Sequence, residues 1–209
     1  MLNYLKLDLH CLRRTMGWYY VLIPVFMLMY PFLVPKFFIN MSFFFMLILA
    51  STPFSIETAE GSGTYYRILP GTARQMVSGR YLLLLLALTG FTAIDICMLA
   101  IVSAVNAQLF SGAQLSLLGI YASIALIMAM VQYPLYYKFG FSKSRILSMF
   151  IYLLPVAVMF ALPPTTQTLQ FSPSAITFNT GAWILLAAVD LAALLLSYWI
   201  SCHIAEKNE

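Results

Sequence analysis

Ten of the eleven Lys and Arg residues of this chain fall on one side of six long apolar runs. They are Lys6, Arg13, Arg14, Arg67, Arg74, Arg80, Lys138, Lys143, Arg145 and Lys207, with Lys36 the exception. Such sidedness belongs to a chain threaded back and forth through a bilayer, because anionic lipid and the membrane potential retain Lys and Arg on the cytoplasmic side. The shared side is therefore expected to be the cytoplasm, with both chain ends inside. Only 9% of the 209 residues are charged and 62% are hydrophobic, against about 25% charged in a soluble domain. So few charges cannot cover a folded surface in water. The isoelectric point near 9.0 then reports topology and headgroup contact rather than nucleic-acid binding.

A transmembrane helix needs about 20 mostly apolar residues. Six windows qualify, at about 17–34, 37–55, 81–105, 113–137, 145–162 and 178–202. Backbone groups in hydrocarbon must bond internally, which selects helices. A barrel would show short alternating segments, and these runs do not alternate. The expected fold is all-α: one polytopic membrane domain covering 1–209, with six transmembrane helices and cytoplasmic termini, in a bacterial inner membrane. Residues 1–16 differ from the rest. Leu5, Leu9, Leu12 and Met16 recur at helical spacing while Lys6, His10, Arg13 and Arg14 fall elsewhere, the pattern of an amphipathic helix in the membrane interface. Leu5, Leu7 and Leu9 also alternate, as in a strand; the charged flank and the membrane context favour the helix. The apolar run from Trp18 to about Val34 has no small-residue cleavage site after it, unlike a signal peptide.

Cys11, Cys97 and Cys202 form no metal or disulfide spacing; Cys97 sits inside a span, as a packing residue would. Pro24, Pro31, Pro134 and Pro155 sit in or at the ends of spans and favour kinks. Phe43, Phe44 and Phe45 read as lipid-facing or packing residues. Trp18, Trp183 and Trp199 lie near span ends as interface anchors. His10 and His203 are both near the inner face and too remote from each other in sequence to signal a metal site.

Asp95 and Asp190 are the acidic residues placed deep in spans. An Asp at a helix centre costs about 2.5–3.5 kcal/mol on the insertion scale. No Lys or Arg lies in a span to pair with them. Two readings stand: a lining of a translocation path that attracts cationic or amphipathic cargo, or a neutral carboxyl bonded to Ser, Thr or Asn of a neighbouring helix.

The longest inner connection, 56–80, carries most of the chemistry outside the bilayer. It holds Glu57, Glu60, Tyr66, Arg67, Pro70, Arg74 and Arg80. Gly61 and Gly63 break a helix continuing from the second span, and Pro70-Gly71 signals a turn. Thr72 with Gln75 fits a capping box, which predicts a helix from near Ala73 into the third span. The stretch reads either as an amphipathic loop on the headgroups or as an element that docks a cytoplasmic partner through apolar residues flanked by Arg and Glu.

Glu57, Glu60, Tyr66, Arg67, Leu69-Pro70, Thr72, Arg74, Val77 and Arg80-Tyr81 together resemble the type-2 ABC exporter permeases. The resemblance is to small six-span members paired with a separate ATPase, including exporters of phenol-soluble modulins and lantibiotic-immunity permeases. Members often carry an Asp-Glu pair and a Lys-rich turn here; this chain has split glutamates and Gly-Thr-Ala. The resemblance implies two permease chains, same or different, forming the path, and ATPase subunits beneath them. It also implies a coupling helix within 56–80 and an interfacial helix at 1–16. Amphipathic, antimicrobial or toxin peptides would be the cargo, moved for secretion or for self-protection. ATP and Mg would sit on the partner, since the chain has no nucleotide-binding domain and no Gly-rich loop ending in Gly-Lys-Ser/Thr. Two other classes are weighed. An ion- or proton-coupled carrier would use Asp95 and Asp190, but no inverted repeat is visible. An integral membrane enzyme would need convergent acids, His or metal ligands, and two Asp with two remote His supply none.

Overall fold

The computed structural model describes residues 2–18, 25, 38–59, 72–105, 112–144, 146–150 and 180–207. Among them every regular element is helical: α1 (Leu2–Met16), α2 (Phe38–Ala59), α3 (Ala73–Val105), α4 (Gly112–Phe139) and α5 (Thr180–Lys207). Residues 141–144 and 146–150 are also helical. Three described segments are long and apolar enough to cross a membrane: Ala73–Ile101, Leu115–Phe139 and Thr180–Lys207. The α2 region Phe45–Glu57 is a shorter apolar helix. The windows expected at 17–34 and 145–162 lie mostly outside the described residues.

Cross-helix pairings fix the directions. Arg74 of α3 meets Glu206 of α5, and Tyr81 meets Ser197 and Ser201, so α3 and α5 are antiparallel. Ser123 of α4 meets Asp190 of α5, and the Met130 carbonyl meets Ser197; the indices rise together, so α4 and α5 are parallel. α2 packs on α3 and α4, with Phe54 against Tyr133, Tyr136 and Tyr137. The core between them holds Phe43, Met46, Leu47, Val77, Leu84 and Met130. Outward faces remain apolar, as lipid requires: Leu86, Val131, Leu185 and Leu196 are exposed.

Two helix boundaries among the described residues have a local cause. α3 begins at Ala73, where the capping pattern puts it, and the Thr72 carbonyl accepts from the Gln75 and Met76 amides. α4 ends at Gly140, whose φ of 74° is left-handed and whose amide returns to the Tyr136 carbonyl. The chain re-enters helix at once. Buried Ser144 bonds the Leu135 and Gly140 carbonyls, and Ser148 bonds the Tyr136 hydroxyl, holding 141–144 and 146–150 against the end of α4.

Prolines sit inside α2 (Pro53) and α4 (Pro134). Pro134 has no amide to bond Met130, and the Ser197 hydroxyl of α5 donates to that carbonyl at 2.6 Å. The polar group freed by the proline thus becomes a tie between helices. Pro24, Pro31 and Pro155 lie outside the described side chains.

α1 departs from its expected face. The helix runs Leu2–Met16, but the buried residues are Tyr4, Asp8 and Leu12, and Leu9 is exposed. This face packs on α3 and α2, so α1 presents a stripe with an acid at its centre to the bundle. Leucine spacing alone points to a lipid-facing stripe. Cys97 is exposed on α3 rather than packed inside, and Cys202 is buried. Trp183 departs too: its ring lies against Gly119 of α4, whereas Trp18 and Trp199 are exposed as interface anchors would be.

Candidate functional site

The described charged and hydroxyl groups concentrate at one end of the bundle, where α2 stops, α3 starts, and α4 and α5 finish. Here the two flanks of the 56–80 segment meet. Arg80 Nη2 donates to Glu57 Oε2 at 2.6 Å, joining the last turns of α2 to the start of α3. Arg80 is 1% exposed. Its guanidinium carbon stands 4.3 Å from the centroid of Phe54 and 5.6 Å from that of Tyr137. A planar, weakly hydrated cation stacked on aromatic faces is the form of positive charge that burial tolerates best. Arg80 is therefore turned into the bundle, with α2 and α4 around it.

Arg74, two turns earlier, is outside this pocket. It is exposed and pairs with Glu206 near the end of α5. Between the two arginines, Ser78 and the Tyr198 hydroxyl are 2.9 Å apart. One turn deeper, the Tyr81 hydroxyl lies 2.7 Å from Ser197 Oγ and 2.9 Å from Ser201 Oγ. The first two turns of α3 are thus bonded to α5 on one side and to α2 on the other. Movement of the α3 start must carry both neighbours or break these contacts.

Of the residues singled out from sequence, Glu57 and Arg80 are brought together and Arg74 stands apart on the surface. Glu60, Tyr66, Arg67 and Pro70 lie outside the described residues. Asp95 is buried on α3. Asp190 on α5 accepts a hydrogen bond from Ser123 Oγ of α4 at 2.6 Å, the neighbouring-helix serine partner that one of the two readings requires. Counting from the Tyr81–Ser197 contact at about 1.5 Å per residue, Asp95 lies about 21 Å and Asp190 about 10 Å along the bundle. The two carboxylates sit at different depths and form no pair.

Several contributors are not visible from spacing. Asp8 is 1% exposed, on the face of α1 that is buried in the bundle. It is the lone acid in a basic N-terminal segment, four residues from both Tyr4 and Leu12, and that i, i+4 relation was its available signal. Glu206 and the Ser197–Ser201 pair carry no motif. No group of three or more His, Cys, Asp or Glu placed to hold a metal ion occurs among the described residues.

Long apolar helices with lipid-type exteriors, cross-bonded through hydroxyls and the Arg80–Glu57 ion pair, define a multi-pass membrane protein. The family model described as ABC-2 family transporter protein matches residues 3–206, and the chain belongs to that family. It is accordingly a permease-type membrane component of an ABC transporter, of a kind that typically works with an ATPase subunit. No curated protein and no solved structure matches the chain.

Proposed function

We propose that this chain is the membrane subunit of an ATP-driven exporter in a bacterial inner membrane. It forms the translocation path with a second permease chain and is driven by a separate cytoplasmic ATPase that carries ATP and Mg. The 56–80 segment is its coupling element, and amphipathic peptides of antimicrobial or toxin type are its cargo. The observation that carries this reading is the bracing of that segment's flanks. Arg80 with Glu57 ties its two ends together, and Arg74 with Glu206 ties its later end to α5. A stroke delivered between residues 57 and 80 reaches three helices at once, as an input site for mechanical work must.

Helix direction supports six spans with cytoplasmic termini. α4 and α5 are parallel, and α4 is about 40 Å long, so Phe139 at the end of α4 and Thr180 at the start of α5 lie at opposite ends of the bundle. α2 ends with Glu57 beside Arg80, so its start lies at the opposite end of the bundle from these charged groups. Six spans, with the apolar windows 17–34 and 145–162 supplying two of them, bring both termini to one face.

The test is co-expression of the tagged chain with the ATPase encoded beside it. Co-purification is expected, with Arg67→Ala and Arg74→Ala lowering ATPase activity roughly 10-fold or more while the chain still inserts, as expected of contacts that transmit rather than fold. A chain that purifies alone and still moves substrate would defeat the reading.

A further inference from the structure

We propose that the outward face of α1, made of Lys6, His10, Arg13 and Arg14, binds the headgroups of anionic phospholipid. α1 turns Tyr4, Asp8 and Leu12 into the bundle, where the helix packs on α3 and α2. At about 100° per residue, Lys6, His10 and Arg13 fall on the opposite side, with Leu9 and Arg14 flanking them. All four polar side chains are exposed. Among the described residues none of them has an acidic partner: the ion pairs there are Arg80 with Glu57 and Arg74 with Glu206, and Asp8 lies on the buried side of α1. A row of cations with no counterion of its own is complementary to a surface of phosphates.

Two features favour lipid over a protein as the occupant. Gly17, at a φ of 46°, follows α1, and its amide bonds the Arg13 carbonyl. The next apolar run of the chain begins at Trp18. Arg13 and Arg14, in the last turn of α1, are therefore only a turn or so from the point where the chain enters hydrocarbon, at headgroup depth. Apolar side chains also stand among the cations: Leu9 is 41% exposed and Trp18 84%. That mixture suits the boundary where phosphate gives way to acyl chain. Leucine spacing alone would have α1 held in lipid by an apolar stripe, indifferent to headgroup charge. Here the protein takes up the inward stripe and leaves charge for the lipid, so attachment depends on which lipid is present. The inference rests on these contacts and not on the exporter reading.

The test uses the full chain lacking its three native cysteines, with a bimane fluorophore on Leu9→Cys at the edge of this face. It is reconstituted in phosphatidylcholine bilayers in which a minor share of the lipid is brominated near the head of its acyl chains. The bromine is carried either on phosphatidylglycerol or on phosphatidylcholine, and quenching of the fluorophore by each is compared. A cation held at an anionic surface is worth roughly 5-fold in affinity. Brominated phosphatidylglycerol is therefore expected to be enriched around residue 9 by roughly 5-fold or more over brominated phosphatidylcholine. The triple change Lys6→Gln, Arg13→Gln and Arg14→Gln is expected to bring the two lipids level, while quenching by brominated phosphatidylcholine stays at the parent value. A merely structural role would shift both lipids together. Lys6→Arg with Arg13→Lys and Arg14→Lys keeps the charge and should keep the preference. If the neutralised chain does not accumulate, the parent at rising salt serves instead, and its preference should fall as the charges are screened. Equal quenching by the two lipids in the parent, or a preference unmoved by neutralising the face or by salt, would overturn the proposal. So would a preference that vanishes when a cytoplasmic ATPase is bound, because the face would then belong to a protein. Co-purification with the ATPase tests the exporter function separately.

Discussion

At the scale of single residues, the chain uses small groups where two helices must touch. A β-carbon added at Gly119 would stand 2.6 Å from the Trp183 ring, closer than any real contact. Gly119→Ala is therefore expected to destabilise the protein by about 1–3 kcal/mol, read as a lowered thermal midpoint in detergent, and Trp183→Leu should recover much of the loss. Neither partner is conspicuous in sequence: a glycine in a membrane helix is common, and a tryptophan near a span end looks like an interface anchor. Their meeting depends on the register of two helices about 60 residues apart, which no local pattern encodes. Asp190 is a similar case. Its depth in an apolar span is evident from sequence, but its serine partner is one of many possible. Asp190→Asn keeps an acceptor for Ser123, so folding should be unchanged; export that also stays unchanged would remove Asp190 from the translocation path.

For whole elements, sequence and structure agree where the signal is local and part where it is not. The start of α3 at Ala73 follows from Thr72 and Gln75. The face of α1 does not follow from its leucines: Tyr4, Asp8 and Leu12 are buried where α1 packs on α3 and α2, and only those neighbours decide which side turns inward. The Pro134 kink is intermediate: the proline is plain to see, but the hydroxyl that receives its freed carbonyl comes from α5. Ser197→Ala should cost about 1–3 kcal/mol by leaving the Met130 carbonyl unbonded, while Tyr81 keeps Ser201. With Pro134→Ala present, the restored amide can bond Met130, and the cost of losing Ser197 should shrink. Equal losses in both backgrounds would show that the kink is not what Ser197 serves.

On the scale of the molecule, composition and charge sidedness already demand helices in a membrane, and the family match and the three long apolar helices agree. The site is legible in part: spacing picks out Glu57, Arg74 and Arg80, but that Arg80 turns inward and Arg74 outward requires the fold. Topology can be tested directly. In a chain lacking its three native cysteines, Ser174→Cys should react with an impermeant maleimide in intact cells, and Ser62→Cys only after permeabilisation. Reaction at position 62 from outside would place the coupling segment on the wrong face and end the exporter proposal.

The parallel pairing of α4 with α5 has a bearing on biosynthesis. Ser123, the Met130 carbonyl and Tyr81 all find partners on a helix that leaves the ribosome after the helices that need it. Until Thr180–Lys207 arrives, a nascent chain holds unsatisfied polar groups in hydrocarbon. Products cut short before that helix should therefore be recognised and degraded by membrane proteases, so that this late helix doubles as a checkpoint on synthesis.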